Sequence, residues 1–254
     1  MPKQRLDLLL VDRGYLAGQE QARRIIRAGQ VFVGDRRIDK PGRQFPIDAV
    51  IHIKELPRYV SRGGEKLNGA LKAFNLDVSG MAVLDVGSSA GGFTDCLLQA
   101  GARRVYCLDV GKGLLAWKLR QDPRVFVREG INARYLTGGN LPEAPDIITI
   151  DVSFISLKKV LPACIGMLEA EGRILALIKP QFEAGRSEVK RGGVVRDPEI
   201  HRRVIEEIGE FAGKNGLTVQ GVSQSILTGP AGNKEFFILL GRGLSKFATK
   251  APGH

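Results

Sequence analysis

"MAVLDVGSSAGGFTDCLLQAGARRVYCLDVG", residues 81–111, decides the fold. It opens on an apolar run, Met81–Val86, and turns through Gly87, Gly91 and Gly92. Phe93–Ala100 then carries apolar residues at helical spacing, closed by Gly101, and Arg103–Asp109 reads as a second strand. The same alternation extends outward. Residues 124–130, 144–153 and 172–180 read as strands, while 114–122, 156–170 and 198–216 read as helices. Residues 217–227 and 234–242 supply two last strands. Strands alternating with helices predict an α/β, Rossmann-like fold with a mostly parallel seven-stranded sheet covered on both faces. Ligands in such sheets bind at the carboxyl ends of the strands, near the point where strand order reverses.

The glycine turn bears on the ligand. A dinucleotide fingerprint requires G-x-G-x-x-G; Gly87 and Gly92 fit its outer places, but Ser89 stands in the middle one. Asp85 precedes the turn, where a carboxylate repels phosphate and suits a cationic ligand. S-adenosylmethionine has a sulfonium, an ammonium and no phosphate. Asp109 ends the next strand, where an acid accepts hydrogen bonds from ribose hydroxyls. Ser88, Ser89, Gly91, Gly92 and Phe93 fill the turn. Val110, Asn132 and Asp151 follow later strands, and all these residues are expected at the cofactor. The alternative is a glycine turn whose acids merely cap helices.

The chain has 254 residues and a formal net charge of +11. Such a balance favours a polyanionic partner, nucleic acid first, over a merely soluble basic protein. Cys96, Cys107 and Cys164 have no metal-ligand spacing, and neither they nor the histidines suggest a metal; reduced core thiols point to the cytoplasm. The chain opens into an amphipathic pattern rather than a targeting segment, and no apolar run approaches the roughly 20 residues needed to span a bilayer.

Residues 1–62 hold 13 Lys/Arg against 7 Asp/Glu. "RLDLLLVDRG" (5–14) and "GQEQARRIIRAG" (18–29) read as short helices, the second placing Arg23, Arg24 and Arg27 outward. "QVFVGDRRI" (30–38) reads as a hairpin. Arg5-Leu6-Asp7, Ala22-Arg23-Arg24 to Gly29, and Val31-Val33-Gly34 resemble the small α+β RNA-binding domain named after ribosomal protein S-four. That resemblance implies arginines meeting phosphates. A linker is expected over 55–62, giving an RNA-binding domain at 1–58 and a larger domain at 59–244, with Arg62 just beyond the junction.

Charged residues also mark the strand tips: Asp151 ends "DIITID", Lys179 ends "ILALIK" and Glu235 opens the last strand. Lys66 follows the linker. In chain order, Lys66, Asp151, Lys179 and Glu235 resemble the Lys-Asp-Lys-Glu tetrad of FtsJ-like ribose 2′-O-methyltransferases. With "RYVSRGGEKL", "DVGSSAGGFTD", "DVSFISL", "LIKPQFE" and "GNKEFF", the chain resembles the TlyA family of rRNA methyltransferases, with a class I methyltransferase domain. The resemblance implies S-adenosylmethionine as donor, ribosomal RNA or a ribosomal subunit as partner, and a cytidine ribose as target; no protein partner is evident. Lys179 is expected to orient the 2′-hydroxyl and accept its proton, a lysine acting as base only when it has shed its own. Two alternatives stand beside this: a non-catalytic RNA-binding assembly factor, and a membrane-active haemolysin, the label this family has often carried. The polar stretch 180–204 brings Arg186, Lys190, Arg191 and Arg196, expected on a flap that closes on RNA. Phe154 and Phe182 are candidates to stack on a base.

Overall fold

The computed structural model describes residues 2–54, 57–137, 141–229 and 231–242. Its amino-terminal part runs β1 (Lys3–Arg5), α1 (Leu6–Asp12), α2 (Gln19–Arg27), β2 (Val31–Val33), β3 (Arg36–Ile38), β4 (Gln44–Pro46) and β5 (Ile51–Ile53). Leu6, Leu9 and Leu10 from α1 and Ala22, Ile25 and Ile26 from α2 are buried against Val31, Ile38 and Ile51. The expected hairpin is β2–β3, turned by Gly34 at φ +57°, a left-handed conformation that favours glycine. The sheet adds β5 on its other side, and β1 pairs with β4. These strands have three residues each, too few to display an alternation.

The larger part runs α3 (Arg62–Ala73), β6 (Ala82–Val86), α4 (Gly92–Gln99), β7 (Arg104–Asp109), α5 (Trp117–Arg120), β8 (Val125–Glu129), β9 (Ile147–Ile150), α6 (Leu161–Met167), β10 (Arg173–Ile178), α7 (Pro180–Glu183), α8 (Pro198–Lys214), β11 (Leu217–Gln224) and β12 (Phe236–Arg242). The seven strands lie in the order β11-β12-β10-β9-β6-β7-β8. Pairings from β10 to β8 are parallel, whereas β12 runs antiparallel to both β10 and β11. The chain progresses one way from β6 and the other way from β9, so the switch point lies between these two neighbours. Apolar clusters cover both faces, one around Leu84, Ile148 and Ile174, the other around Val83, Leu97 and Leu175. The predicted α/β fold with a mostly parallel seven-stranded sheet is the observed one.

Three local expectations change. The expected linker ends at Arg62, and residues 62–73, given no element in the sequence, form the twelve-residue helix α3, whose Ser61 cap accepts a hydrogen bond from Gly63 N at 3.3 Å. Glycines allow close packing at its start: a Cβ at Gly64 would fall 2.3 Å from Tyr59 Cγ, and one at Gly92, the first residue of α4, 2.1 Å from Ser61 Oγ. The helix expected over 156–170 divides into a 3₁₀ turn, Leu157–Lys159, and α6, with Pro162 in its first turn. Tyr59 and Val60, in the expected linker, are buried, and Val60 N donates to Asp95 Oδ2 at 2.9 Å. Glu55 and Leu56 of that linker, and residues 243–244 of the second domain, lie outside the described residues. Among the described residues no helix is long and apolar enough to cross a membrane.

Candidate active site

At the switch point, the chain leaves β6 through Gly87. Its φ of +84° favours glycine, and a Cβ there would lie 2.3 Å from the carbonyl oxygen of Asp151. The turn therefore packs directly on the end of β9, with Asp151 N donating to Val86 O at 2.9 Å. A cavity of 470 Å³ opens beside it, outside the ends of β6, β7 and β9. Gly87, Ser89, Asp109, Val110, Asn132 and Asp151, all expected at the cofactor, line it. Leu108, Leu114, Ile131 and Ile155 supply apolar wall that the motif reading missed. Leu114 and Val110 are large apolar residues left exposed at its mouth. Both carboxylate oxygens of Asp109 accept backbone N–H groups, from Ser89 at 2.8 Å and Gly111 at 2.7 Å. Each oxygen keeps a lone pair for a ligand hydroxyl.

A second, 180 Å³ cavity adjoins the first through Gly87, Ser89 and Asp151. Ser88, Gly92 and Phe93 line it from the glycine turn, and Ser61, Arg62 and Lys66 from the start of α3. Gly91 lines neither cavity. A Cβ on it would fall 2.3 Å from Leu119 Cδ1, so it serves packing. Asp85 departs further from expectation. It is fully buried, its carboxylate accepts Thr94 Oγ1 at 2.7 Å and Thr149 Oγ1 at 3.0 Å, and it lines neither cavity. Burial pushes its carboxyl up to about 6, against the hydrogen bonds from the two threonines. It braces the turn from below rather than meeting a sulfonium. The reason is the strand period of two: Asp85 lies one residue before the end of β6 and faces α4.

The four charged residues come together in two pairs. β10 lies between β9 and β12, parallel to the first and antiparallel to the second. The end of β9, the end of β10 and the start of β12 therefore share one edge. Lys179 Nζ lies 2.6 Å from Asp151 Oδ1 and donates to Ser153 Oγ at 2.9 Å. The contact with Oδ1 is an ion pair off hydrogen-bond geometry, so that oxygen keeps its acceptor capacity. Lys66 Nζ donates to Glu235 Oε2 at 2.5 Å, with side chains 9% and 1% exposed. Ser153 was not singled out from the sequence. Its one signal was its place two residues beyond Asp151, within "DVSFISL".

Beyond Asp151 the chain turns at Phe154, whose φ of +62° is uncommon for a bulky residue and whose side chain is 91% exposed. Its ring meets Phe182 at 5.1 Å, and Lys179 Nζ stands 6.0 Å from the Phe182 ring centre. Arg186, Lys190 and Arg191 are exposed on the loop after α7. This loop is tied near its far end. The buried Asn233 accepts Val195 N at 2.9 Å and donates to Gly193 O at 2.8 Å.

The arginine face of the small domain divides in two. Arg5 and Arg23 are held by the fully buried Asp7, at 2.9 and 3.1 Å. Arg5 leads in driving the Asp7 carboxyl far below the usual carboxylate range. Arg24 and Arg27 are exposed and edge a 540 Å³ groove between the two parts of the molecule, also lined by Ser61, Ala90 and Leu114. Arg62 donates to Thr228 O at 2.9 Å while lining the smaller cavity.

Two family models match the chain: an FtsJ-like methyltransferase over residues 59–242 and an S4 domain over residues 4–51. The chain is 48% identical over 240 residues to YqxC of Bacillus subtilis, named as a candidate rRNA methyltransferase, covering 94% of this chain and 85% of that one. It is 43% identical over 238 residues to the 16S/23S rRNA (cytidine-2′-O)-methyltransferase TlyA of Mycobacterium tuberculosis, covering 93% and 89%. A solved structure of a candidate hemolysin from Streptococcus thermophilus superposes with a TM-score of 0.75 at 45% identity, covering 95% of this chain and 89% of that one.

Proposed function

The chain belongs to the FtsJ-like methyltransferase family, and from that premise we propose that it methylates a cytidine ribose 2′-hydroxyl of ribosomal RNA with S-adenosylmethionine as donor. One observation carries the reading: the ion pairs Lys179–Asp151 and Lys66–Glu235 both reach the smaller cavity, through Asp151 and Lys66, and Asp151 also lines the larger one, whereas Lys179 and Glu235 stand behind as their partners. The cavities suit that donor. The larger offers apolar walls for an adenine and Asp109 for ribose hydroxyls. The smaller offers the cations of Arg62 and Lys66 for an amino-acid carboxylate. Bound there, the donor supplies an activated methyl group on a sulfonium.

The chain's own groups do the rest. Phe154 presents an exposed ring on which a base stacks. Asp151 Oδ1 and Lys179 Nζ hold the ribose hydroxyl, and Lys179, once neutral, takes its proton as the new oxygen–carbon bond forms and the carbon–sulfur bond breaks. Asp151 and Ser153 fix where that nitrogen stands, and alignment of oxygen, carbon and sulfur supplies much of the acceleration. Lys66 and Glu235 form the wall behind. Arg24, Arg27, Arg186, Lys190 and Arg191 serve the RNA phosphates, while Asp7 holds Arg5 and Arg23 and the smaller cavity takes Arg62; ribosomal subunits in the cytoplasm are the natural partner. We assign RNA binding to residues 1–58 and transfer to residues 59–244.

The test incubates the protein with methyl-labelled donor and purified ribosomal subunits, then hydrolyses the RNA in alkali. A 2′-O-methyl group blocks cleavage, so label must remain in dinucleotides containing cytidine. Label released on mononucleotides would mean methylation of a base and overturn the reading. Full turnover by Lys179→Ala, with donor and RNA still bound, would remove the role given to that amine.

A further inference from the structure

Lys179 and Phe182 sit on one short stretch after β10, and Asp151, Ser153 and Phe154 on one turn after β9. Something has to keep the two in register, because the turn contains a phenylalanine in a left-handed conformation that relaxes unless its surroundings hold it. At its near end the turn is held by Lys179, through Asp151 and Ser153. At its far end the holder is Glu183, the last residue of α7. One carboxylate oxygen accepts Ser156 Oγ at 2.6 Å, and the other accepts Leu157 N at 2.7 Å. Ser156 Oγ in turn accepts Lys158 N at 3.2 Å, so the same contact caps the 3₁₀ turn.

Glu183 lines neither cavity of the site. Burial raises its carboxyl above the usual range, against the hydrogen bonds from Ser156 and Leu157. A surface hydrogen bond carries no such burden. We propose that Glu183 is a positioning residue for methyl transfer. Together with Lys179 it brackets residues 151–157 from one helical turn, and so sets the Phe154 ring and Asp151 against the catalytic lysine. The proposal rests on the function given above, since Phe154 matters as the platform for the target base.

The test is a double-mutant cycle on the full chain with Glu183→Ala, Glu183→Gln, Phe154→Ala and the pair Glu183→Ala/Phe154→Ala. Donor affinity is read by calorimetry, RNA affinity by anisotropy and turnover by label transfer. Glu183→Ala is expected to lower RNA affinity and kcat/KM for RNA about tenfold, with a smaller loss of donor affinity, about threefold, because Asp151 and Ile155 of the same turn line the larger cavity. Glu183→Gln, which still accepts Leu157 N and donates to Ser156 Oγ, restores most of the loss. The double variant is no worse than Phe154→Ala alone, because both changes remove one platform. Losses that multiply, or an equal loss of donor affinity, overturn the proposal. Should Glu183→Ala not fold, Ser156→Ala enters the same cycle with the carboxylate retained. Absence of turnover in the unmodified protein would sink the proposed function, while the RNA-affinity arm would still decide the role of Glu183.

Discussion

Cutting the Lys66–Glu235 pair from one side should cost far more than removing it whole. The two charges are 2.5 Å apart, with side chains 9% and 1% exposed, so neither has water to replace its partner. Glu235→Ala strands an ammonium between α3 and β12, and Lys66→Met strands a carboxylate. Each loss is expected to cost about 3–5 kcal/mol. For a chain of this size, roughly 2–4 °C of melting temperature per kcal/mol places the fall at about 6–20 °C. The double variant Lys66→Met/Glu235→Leu replaces both charges by apolar groups and should recover to within about 1–2 kcal/mol of the unmodified protein. It should nevertheless lose activity, since Lys66, one of the two cations lining the smaller cavity beside Arg62, has gone. Urea unfolding at pH 7 gives the energies, and label transfer gives the activity. Single variants as stable as the parent, or a double variant as unstable as the sum of the singles, would refute the claim that the pair is buried and mutually dependent.

Asp85 gives a pH signature. Its folded carboxyl keeps a proton up to about 6, against an ordinary value of 3.8, so the native state binds more protons between these values and stability falls as pH rises through them. About two pH units correspond to roughly 3 kcal/mol. Asp85→Asn should therefore be about 1–3 kcal/mol more stable than the parent in urea at pH 8, with the gain vanishing below pH 4; a less stable variant at pH 8 contradicts the assignment. Gly87→Ala places a Cβ 2.3 Å from the Asp151 carbonyl oxygen at a φ of +84° and should abolish donor binding in calorimetry; affinity retained within threefold refutes this. Arg24→Gln/Arg27→Gln should flatten the plot of log affinity for single-stranded RNA against log salt by about 1.4, two contacts at roughly 0.7 each. An unchanged slope would exclude both side chains from the phosphates.

Strands buried on both faces announce themselves. Val83, Leu84, Ile147, Ile148, Leu175 and Leu177 stand in near-continuous apolar runs because helices cover both sides of a parallel sheet, and the family follows from motifs at the ends of those runs. What escaped was set by tertiary contact. Gly63 and Gly64 look like linker residues, yet they let the first turn of α3 approach Tyr59 and the glycine turn. The better signals were Ser61 as a cap and Leu67, Ala70 and Leu71 at helical spacing. Asp85 and Asp109 look alike at strand ends; only the side to which each points distinguishes a brace under the turn from a wall of the cavity. Arg23 and Arg24 are neighbours in sequence, but the buried Asp7 claims one and leaves the other on the groove. The two-pair arrangement of the four charged residues depends on β12 running backwards, which no local pattern records.

That reversal also sets a clock on the birth of the molecule. During translation Lys66 is made 169 positions before Glu235. At about 5–20 residues per second its neutralising partner trails by about 10–30 s. Until β12 lies between β10 and β11, the Lys66 ammonium has no carboxylate and faces water. A product truncated before residue 235 therefore lacks both the inner strand of the sheet and the charge that holds Lys66 in place.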